Sequence, residues 1–233
     1  MMDTNGNKYT FIYASAMVIL VAALLSVTAL QLKSAQQKNV SVEKKQNILA
    51  SVGIASTAAD AESIYEEKIV QSYIVNAQGE KVEGNAFDID LKTERARAVE
   101  ERKLPVYECK TDEGMKYILP VYGTGLWGPI WGYVALNEDM NTIYGANFAH
   151  QGETPGLGAE INTPAFQNQF KGKSIFDDNG KLVSIVVAKS SENAPAEHKV
   201  DGISGGTITS KGLQDMLYND FTTYQAFFTK SKK

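Results

Sequence analysis

The residues best suited to chemistry form a glycine-rich cluster at positions 201–210, directly ahead of a predicted helix. Two adjacent glycines in it precede Thr207. The first turn of a helix carries unpaired N–H groups and a partial positive charge, which stabilise a phosphate. A phosphodiester on the Thr207 hydroxyl would lie at this position, and the glycines would leave an enzyme room to reach it. The alternative is an ordinary glycine loop with Thr207, Thr209 or Ser210 as the helix N-cap.

A second cluster, residues 152–158, combines a proline turn with glycines and small polar side chains. Such a loop offers backbone amides and one apolar side chain, Leu157, to a planar ligand. The alternative is a purely structural turn that needs a positive φ at Gly156. Both interpretations remain open from this cluster alone.

A third cluster, residues 123–128, has the G-x-G-x-x-G spacing of dinucleotide-binding loops. Those loops need a following helix whose N-terminal amides bind a pyrophosphate. Residues 130–136 instead have the pattern of a strand, which disfavours that interpretation. We interpret the cluster as a tight loop that offers Trp127 or Trp131 for stacking on a flat ligand. Alternatively, both tryptophans belong to the core.

Composition excludes several other classes of site. With the single cysteine Cys109, the chain can form neither an internal disulfide nor a cysteine-held zinc or iron–sulfur centre by itself. His150 and His198 are too far apart in sequence to indicate a metal site. A net charge of -4 and a pI of about 5.3 give no basic footprint, so we expect no nucleic-acid partner.

A transmembrane helix is predicted at residues 9–32, which contain no charged side chain. Residues 12–30 alone are long enough to cross a hydrocarbon core of about 30 Å. A cleaved signal peptide is the alternative, but no clear cleavage site follows. One lysine precedes the helix and four follow it closely, which would place the large domain in the cytoplasm, although long domains often translocate regardless of such charges.

The helices and strands predicted around the three clusters indicate an α+β fold. We expect an N-terminal tail (1–8), the transmembrane helix (9–32), a stalk helix and linker (33–57) and one domain (58–233). The domain is predicted to contain an antiparallel sheet flanked by helices. The predicted strands are residues 68–75, 105–109, 116–122, 130–136, 142–148 and 182–188, the last of these being the final strand. The predicted helices are residues 58–67, 165–170 after an N-cap at Thr163, and a C-terminal helix with Leu213, Met216, Leu217 and Phe221 on one face.

Several of these segments resemble one family. Asp201-x-x-Ser204-Gly205-Gly206-Thr207 resembles the motif on which a flavin transferase, using FAD, esterifies FMN to threonine. Further blocks are similar to the C subunit of the sodium-translocating NADH:quinone reductase, and the similarity covers nearly the whole chain. These blocks are Asn47-Ile48-Leu49, residues 126–133, Asn141-Thr142-Ile143-Tyr144 and residues 153–158. Gly206 is a departure, because the family more often has alanine there.

The resemblance implies an FMN joined by a phosphodiester to Thr207. It implies that the flavin ring is bounded by Trp127, Thr154, Gly156 and Leu157. It also places Lys189 beside the flavin or its phosphate. The complete set of cofactor-binding residues that it implies is Asp201, Ser204, Gly205, Gly206, Thr207, Trp127, Glu153, Thr154, Gly156, Leu157 and Lys189.

The resemblance further implies an electron relay between membrane-bound redox centres of a sodium-exporting complex. NADH and quinone would react only at partner subunits, because the chain has no credible NADH fingerprint of its own. The family places the globular domain on the periplasmic side of the bacterial inner membrane, against the lysine count. Two alternatives stay open: the G subunit of the related ferredoxin:NAD reductase complex, and a scaffold protein without a flavin.

Overall fold

The computed structural model describes residues 6–188 and 194–232, in two compact units. One unit ends at Lys44 and the other begins at Lys45. Helix α1, Asn7–Ala50, includes the predicted transmembrane helix and continues without a break into the predicted stalk. Among the described helices, α1 alone is long and apolar enough to cross a membrane, and the residues of its apolar stretch are exposed.

The second unit is built on a six-stranded sheet with the order β2-β1-β3-β4-β5-β6. Every neighbouring pair is antiparallel. For β3 to β6 this agrees with the short turns between consecutive predicted strands. The predicted α+β class with an antiparallel sheet is confirmed. The strands are β1 (Ile69–Val75), β2 (Lys81–Val82), β3 (Leu104–Thr111), β4 (Gly114–Thr124), β5 (Pro129–Leu136) and β6 (Ile143–His150).

Helix α5, Thr207–Ser231, packs its apolar stripe on one face of this sheet. The four residues predicted to share a face, Leu213, Met216, Leu217 and Phe221, are all buried there. Their spacing of three and four residues places them on one side of a helix with 3.6 residues per turn. They join Leu119 and Val121 of β4 in the main core.

The opposite face of the sheet is covered by the C-terminal end of α1 and by α2, Ala61–Lys68. Ile48 and Val52 pack there against Ile74 and Tyr107. This second core explains why apolar residues return at the end of a helix that is polar just before it.

The remaining elements are short. Helix α3 is Leu91–Arg95. Helix α4, Pro164–Gln167, begins after Thr163, whose side chain accepts a hydrogen bond from the Phe166 N–H as an N-cap. A 3-10 turn, Asn168–Phe170, follows it, so the predicted helix 165–170 is only partly α-helical.

The prediction that residues 182–188 form the final strand is wrong. Only Val186–Ala188 form a strand, β7, and it pairs in parallel with β8, Lys199–Asp201. This pair forms a separate two-stranded sheet. Strand β8 has three residues, which is too short to produce an alternating pattern that sequence analysis detects.

Candidate functional site

The three glycine-rich clusters meet around one buried carboxylate, Glu153, which is 5% exposed. Its Oε1 accepts a hydrogen bond of 2.8 Å from the backbone N–H of Trp127 in the β4–β5 loop. Its Oε2 accepts one of 2.5 Å from the hydroxyl of Thr209, in the first turn of α5. Segments far apart in sequence are therefore joined by a single side chain.

Two glycines leave the space that this carboxylate occupies. A Cβ on Gly125 would lie 2.5 Å from Glu153 Oε1. A Cβ on Gly158 would overlap both Glu153 Oε2 and Thr209 Oγ1. The backbone can pass this close to the buried carboxylate only because position 125 of the third cluster and position 158 of the second cluster are glycines.

The start of α5 has an open N-terminus. Gly206 is its N-cap, and within the described residues no side chain caps it. The alternative prediction of Thr207, Thr209 or Ser210 as the N-cap is therefore wrong. Thr207 is the first helical residue and is exposed. N–H groups of a first helical turn lack intrahelical acceptors, so this terminus attracts a negatively charged group.

The four hydroxyls near this terminus differ in access. Those of Thr207 and Ser204 are on exposed residues. Thr209 is 1% exposed and donates to Glu153, whereas Ser210 is 4% exposed and its Oγ accepts a hydrogen bond from the Ile203 N–H. Of these four hydroxyls, only the first two are open to an approaching molecule.

The loop before α5 is shaped by two predicted site residues, Gly205 and Gly206. Gly205 has a φ of +75°, a conformation that side chains disfavour, and a Cβ there would lie 2.6 Å from Leu157 Cδ2. Gly206 is buried, and a Cβ there would lie 2.9 Å from Ile203 Cγ2. An alanine at position 206 therefore requires Ile203 to shift, and its β-branched side chain is stiff at χ1.

Large apolar side chains are exposed around this terminus. Trp127 is 68% exposed, so the alternative that both tryptophans belong to the core is wrong for Trp127. Trp131, on β5, is half-buried. Leu157 is 41% exposed and Ile208, beside Thr207, is 58% exposed. These side chains are therefore accessible to a planar or apolar ligand.

The second cluster is a compact turn whose outer residues face solvent. Gly156 has a φ of +73°, as the structural interpretation required, and its N–H donates to Glu160 Oε1 at 3.1 Å. The Thr154 carbonyl accepts hydrogen bonds from the N–H groups of Leu157 and Ala159. Thr154, Gly156 and Leu157 are all exposed, so they are available to a ligand.

A cavity of about 350 Å³ lies beside Thr207, between α5, the end of β7 and the segment that follows β8. Asp201, at the end of β8, is exposed, and its N–H donates to Gln169 Oε1. Lys189, which is predicted to lie beside the ligand, falls outside the described residues. The residues lining the cavity include Ala188, Gly202, Thr207, Ser210, Lys211 and Gln214.

Sequence reasoning missed the roles of Thr209, Gly158 and His150. The Nδ1 of His150 accepts a hydrogen bond of 3.2 Å from the Glu153 N–H and so orients the turn. The only sequence signal for the role of His150 was its place three residues before Glu153, at the end of a strand.

Within the described residues no group of three or more His, Cys, Asp or Glu side chains is arranged to hold a metal ion.

Comparison with known proteins gives a consistent result. The profile of the FMN-binding domain family matches residues 125–220. The C subunit of the Na(+)-translocating NADH-quinone reductase of Vibrio vulnificus (strain YJ016) is 32% identical, over 92% of this chain and 90% of that protein. The corresponding C subunit of Neisseria meningitidis serogroup B is 35% identical, over 91% and 88%.

Two solved structures are also similar. The crystal structure of the C subunit of the Na(+)-translocating NADH-quinone reductase from Parabacteroides distasonis has a TM-score of 0.80 and 47% identity, covering 85% of this chain and 97% of that one. That of Shewanella oneidensis NqrC has a TM-score of 0.69 and 27% identity, covering 85% and 99%.

Proposed function

Because the chain belongs to the family of C subunits of the Na(+)-translocating NADH-quinone reductases, we propose that it is the flavoprotein subunit of such a complex, carries FMN on Thr207 and relays electrons. The relay would run between partner subunits, where NADH is oxidised and quinone is reduced. Helix α1 would anchor the protein in the bacterial inner membrane, with the globular domain on the periplasmic side.

The observation that carries the choice of Thr207 is the unequal access of the hydroxyls around the α5 N-terminus. Thr207 is exposed, whereas Thr209 and Ser210 are buried and hydrogen-bonded. Ser204 is also exposed but lies before the helix, whereas Thr207 is in the first turn of α5. A flavin transferase would therefore bring FAD to the Thr207 hydroxyl. The Thr207 Oγ would attack the phosphorus on the flavin side of the diphosphate and lose its proton, and AMP would leave. The product is a threonine phosphodiester of FMN.

The position of Thr207 also suits the charge of that phosphodiester. It is the first residue of a 25-residue helix whose N-cap, Gly206, provides no side chain that would occupy the first amides. The N–H groups of the first turn and the helix dipole would stabilise the phosphate. The neighbouring cavity of about 350 Å³ leaves space next to the Thr207 side chain.

Exposed side chains are available for the rest of the cofactor. Trp127 offers a flat aromatic face, and Leu157 offers an aliphatic one. Thr154 and the Gly156 backbone complete the rim that we assign to the ring. FMN supplies reversible electron transfer there, and the surrounding residues would hold the ring and limit its contact with water.

The relay role is tested in membranes of a strain that lacks this gene. Complementation with the wild-type gene should restore sodium-stimulated quinone reduction by NADH, and Thr207→Ala should not. Thr222→Ala, which changes an exposed threonine further along α5, is the matched control and should restore activity. Full activity with Thr207→Ala would contradict the relay role. Unchanged activity after deletion would instead favour membership of the ferredoxin:NAD reductase complex.

The side of the membrane is tested separately. A single cysteine introduced at exposed Asp178, in a Cys109→Ser background, should react with an impermeant thiol reagent added to spheroplasts. Reaction only after lysis would place the domain in the cytoplasm.

A further inference from the structure

We propose that Glu153 is a positioning residue that fixes the Trp127 loop to the start of α5 before any flavin is attached. This inference rests on the proposed function only for its consequence, because the contacts themselves belong to the unmodified chain. Both carboxylate oxygens are used, one by the Trp127 N–H and one by the Thr209 hydroxyl.

The environment of Glu153 makes these two hydrogen bonds necessary. The side chain is buried, and none of the ion pairs found in residues 6–188 and 194–232 includes it. Burying an ionised carboxylate is costly unless hydrogen bonds replace its lost water. The N–H of Trp127 and the hydroxyl of Thr209 supply that replacement. Separating the loop from α5 would therefore leave Glu153 partly unsatisfied.

The shape of the site supports the same role. Gly125 and Gly158 leave room for the carboxylate, and side chains at either position would displace it. His150 fixes the backbone of Glu153 from the other side, through its Nδ1. Glu153 is thus held by its backbone and in turn holds two other segments.

The hydrogen bond between Glu153 and Thr209 has two consequences for Thr207, the proposed site of flavin attachment. Thr209 lies two residues after Thr207, so fixing its side chain also fixes the first turn of α5 relative to the Trp127 loop. In addition, the Thr209 hydroxyl donates to a buried carboxylate and is withheld from a transferase. Glu153 therefore contributes both to the preformed site and to the choice of Thr207 over Thr209.

The test uses the full-length, unmodified protein and measures amide hydrogen exchange at Trp127. Loss of one hydrogen bond to a charged acceptor corresponds to roughly tenfold faster exchange or more. We expect at least that change in Glu153→Ala and a smaller one in Glu153→Gln, which retains one acceptor oxygen. Glu160→Gln is the matched control. The Glu160 carboxylate accepts a hydrogen bond from the Gly156 N–H, within the same turn, and does not contact the Trp127 N–H.

The same variants are then incubated with an active flavin transferase and FAD. We expect the initial rate of flavin attachment to fall at least severalfold in Glu153→Ala, with partial rescue in Glu153→Gln. If Glu153→Ala fails to fold, both measurements are judged on Glu153→Gln alone. Wild-type exchange at Trp127 in a folded Glu153 variant would overturn the proposal. A wild-type protein that accepts no flavin would instead overturn the proposed function, since the exchange measurement does not depend on flavin.

Discussion

Glu153 Oε2 accepts a hydrogen bond from Thr209 Oγ1 at 2.5 Å, between residues 56 positions apart in sequence. This bond joins the turn after β6 to the first turn of α5. It also makes a difference between two threonines that look equivalent in the sequence: Thr209 is buried and hydrogen-bonded, whereas Thr207 is exposed. Burial and hydrogen bonding thus distinguish one acceptor hydroxyl from its neighbour.

Thr209→Val should lower the stability of the folded domain. Valine keeps the shape of threonine but removes the hydroxyl, which leaves Glu153 Oε2 without this donor in a buried site. We expect a loss of about 1–3 kcal/mol, measured by denaturant unfolding. Thr209→Ser retains the hydroxyl and is the control for that loss. Equal stability of the valine variant and the wild type would show that the bond contributes little.

Gly158→Ala should disrupt the site sterically. The added Cβ would overlap Glu153 Oε2 and Thr209 Oγ1, so at least one segment must move. We expect a loss of about 1–3 kcal/mol in the free energy of unfolding and slower flavin attachment. Gly152→Ala is the matched control, since a Cβ there meets nothing within 4 Å and its φ is not positive. Similar behaviour of the two variants would contradict the steric argument.

Trp127→Ala should change the absorption spectrum or reduction potential of an attached flavin. The ring of Trp127 is mostly exposed, so its removal should alter the unfolding free energy by no more than about 0.5 kcal/mol. Leu126→Ala, at the adjacent exposed position, is the control for a general change in the loop. Spectra and potentials identical to the wild type would show that the flavin does not stack on Trp127.

Asp220 should make stability depend on pH. Its carboxylate accepts hydrogen bonds from Arg95 and from the Tyr122 N–H. Burial nevertheless raises its pKa to about 6 from an ordinary value of 3.8, with the nearby Arg95 opposing the rise. Between these two pH values the folded chain binds more protons than the unfolded chain. The contribution of Asp220 to stability is therefore greatest below about pH 4 and is lost as the pH rises through 6.

The measurement compares the wild type with Asp220→Asn, which titrates no proton there. We expect the stability of the wild type relative to the variant to fall by about 1–3 kcal/mol between pH 4 and pH 7. Asp215→Asn controls for the loss of a negative charge from α5. A constant or rising difference would contradict the raised pKa.

Much of the fold follows from local patterns. The apolar stripe of α5 is long enough for its period of 3.6 to be recognised. Strands β3 to β6 could be predicted because they are β-rich runs joined by short turns. The β7–β8 pair was missed because three-residue strands carry no measurable period. Its parallel pairing also joins residues 13 positions apart, from Val186 to Lys199, which no local pattern records.

The candidate site divides in the same way. The position of Thr207 at the start of a helix could be predicted, because the glycines and the following helix are adjacent in sequence. The exposure of Trp127 agrees with the interpretation of residues 123–128 as a loop that offers a tryptophan, but the sequence alone left open whether Trp127 or Trp131 is the accessible one. The roles of Thr209 and His150 depend on Glu153, and only the folded chain brings Thr209 to that carboxylate.

The most direct test of the central claim is mass spectrometry of the full-length chain after co-expression with a flavin transferase. The account predicts an added mass of FMN less one water on the peptide containing Thr207, and its absence in Thr207→Ala that remains folded. Thr207 is exposed and its side chain does not cap α5, so folding should persist. Flavin on Thr209 or Ser204, or an unmodified chain beside a control substrate that is modified, would contradict the account.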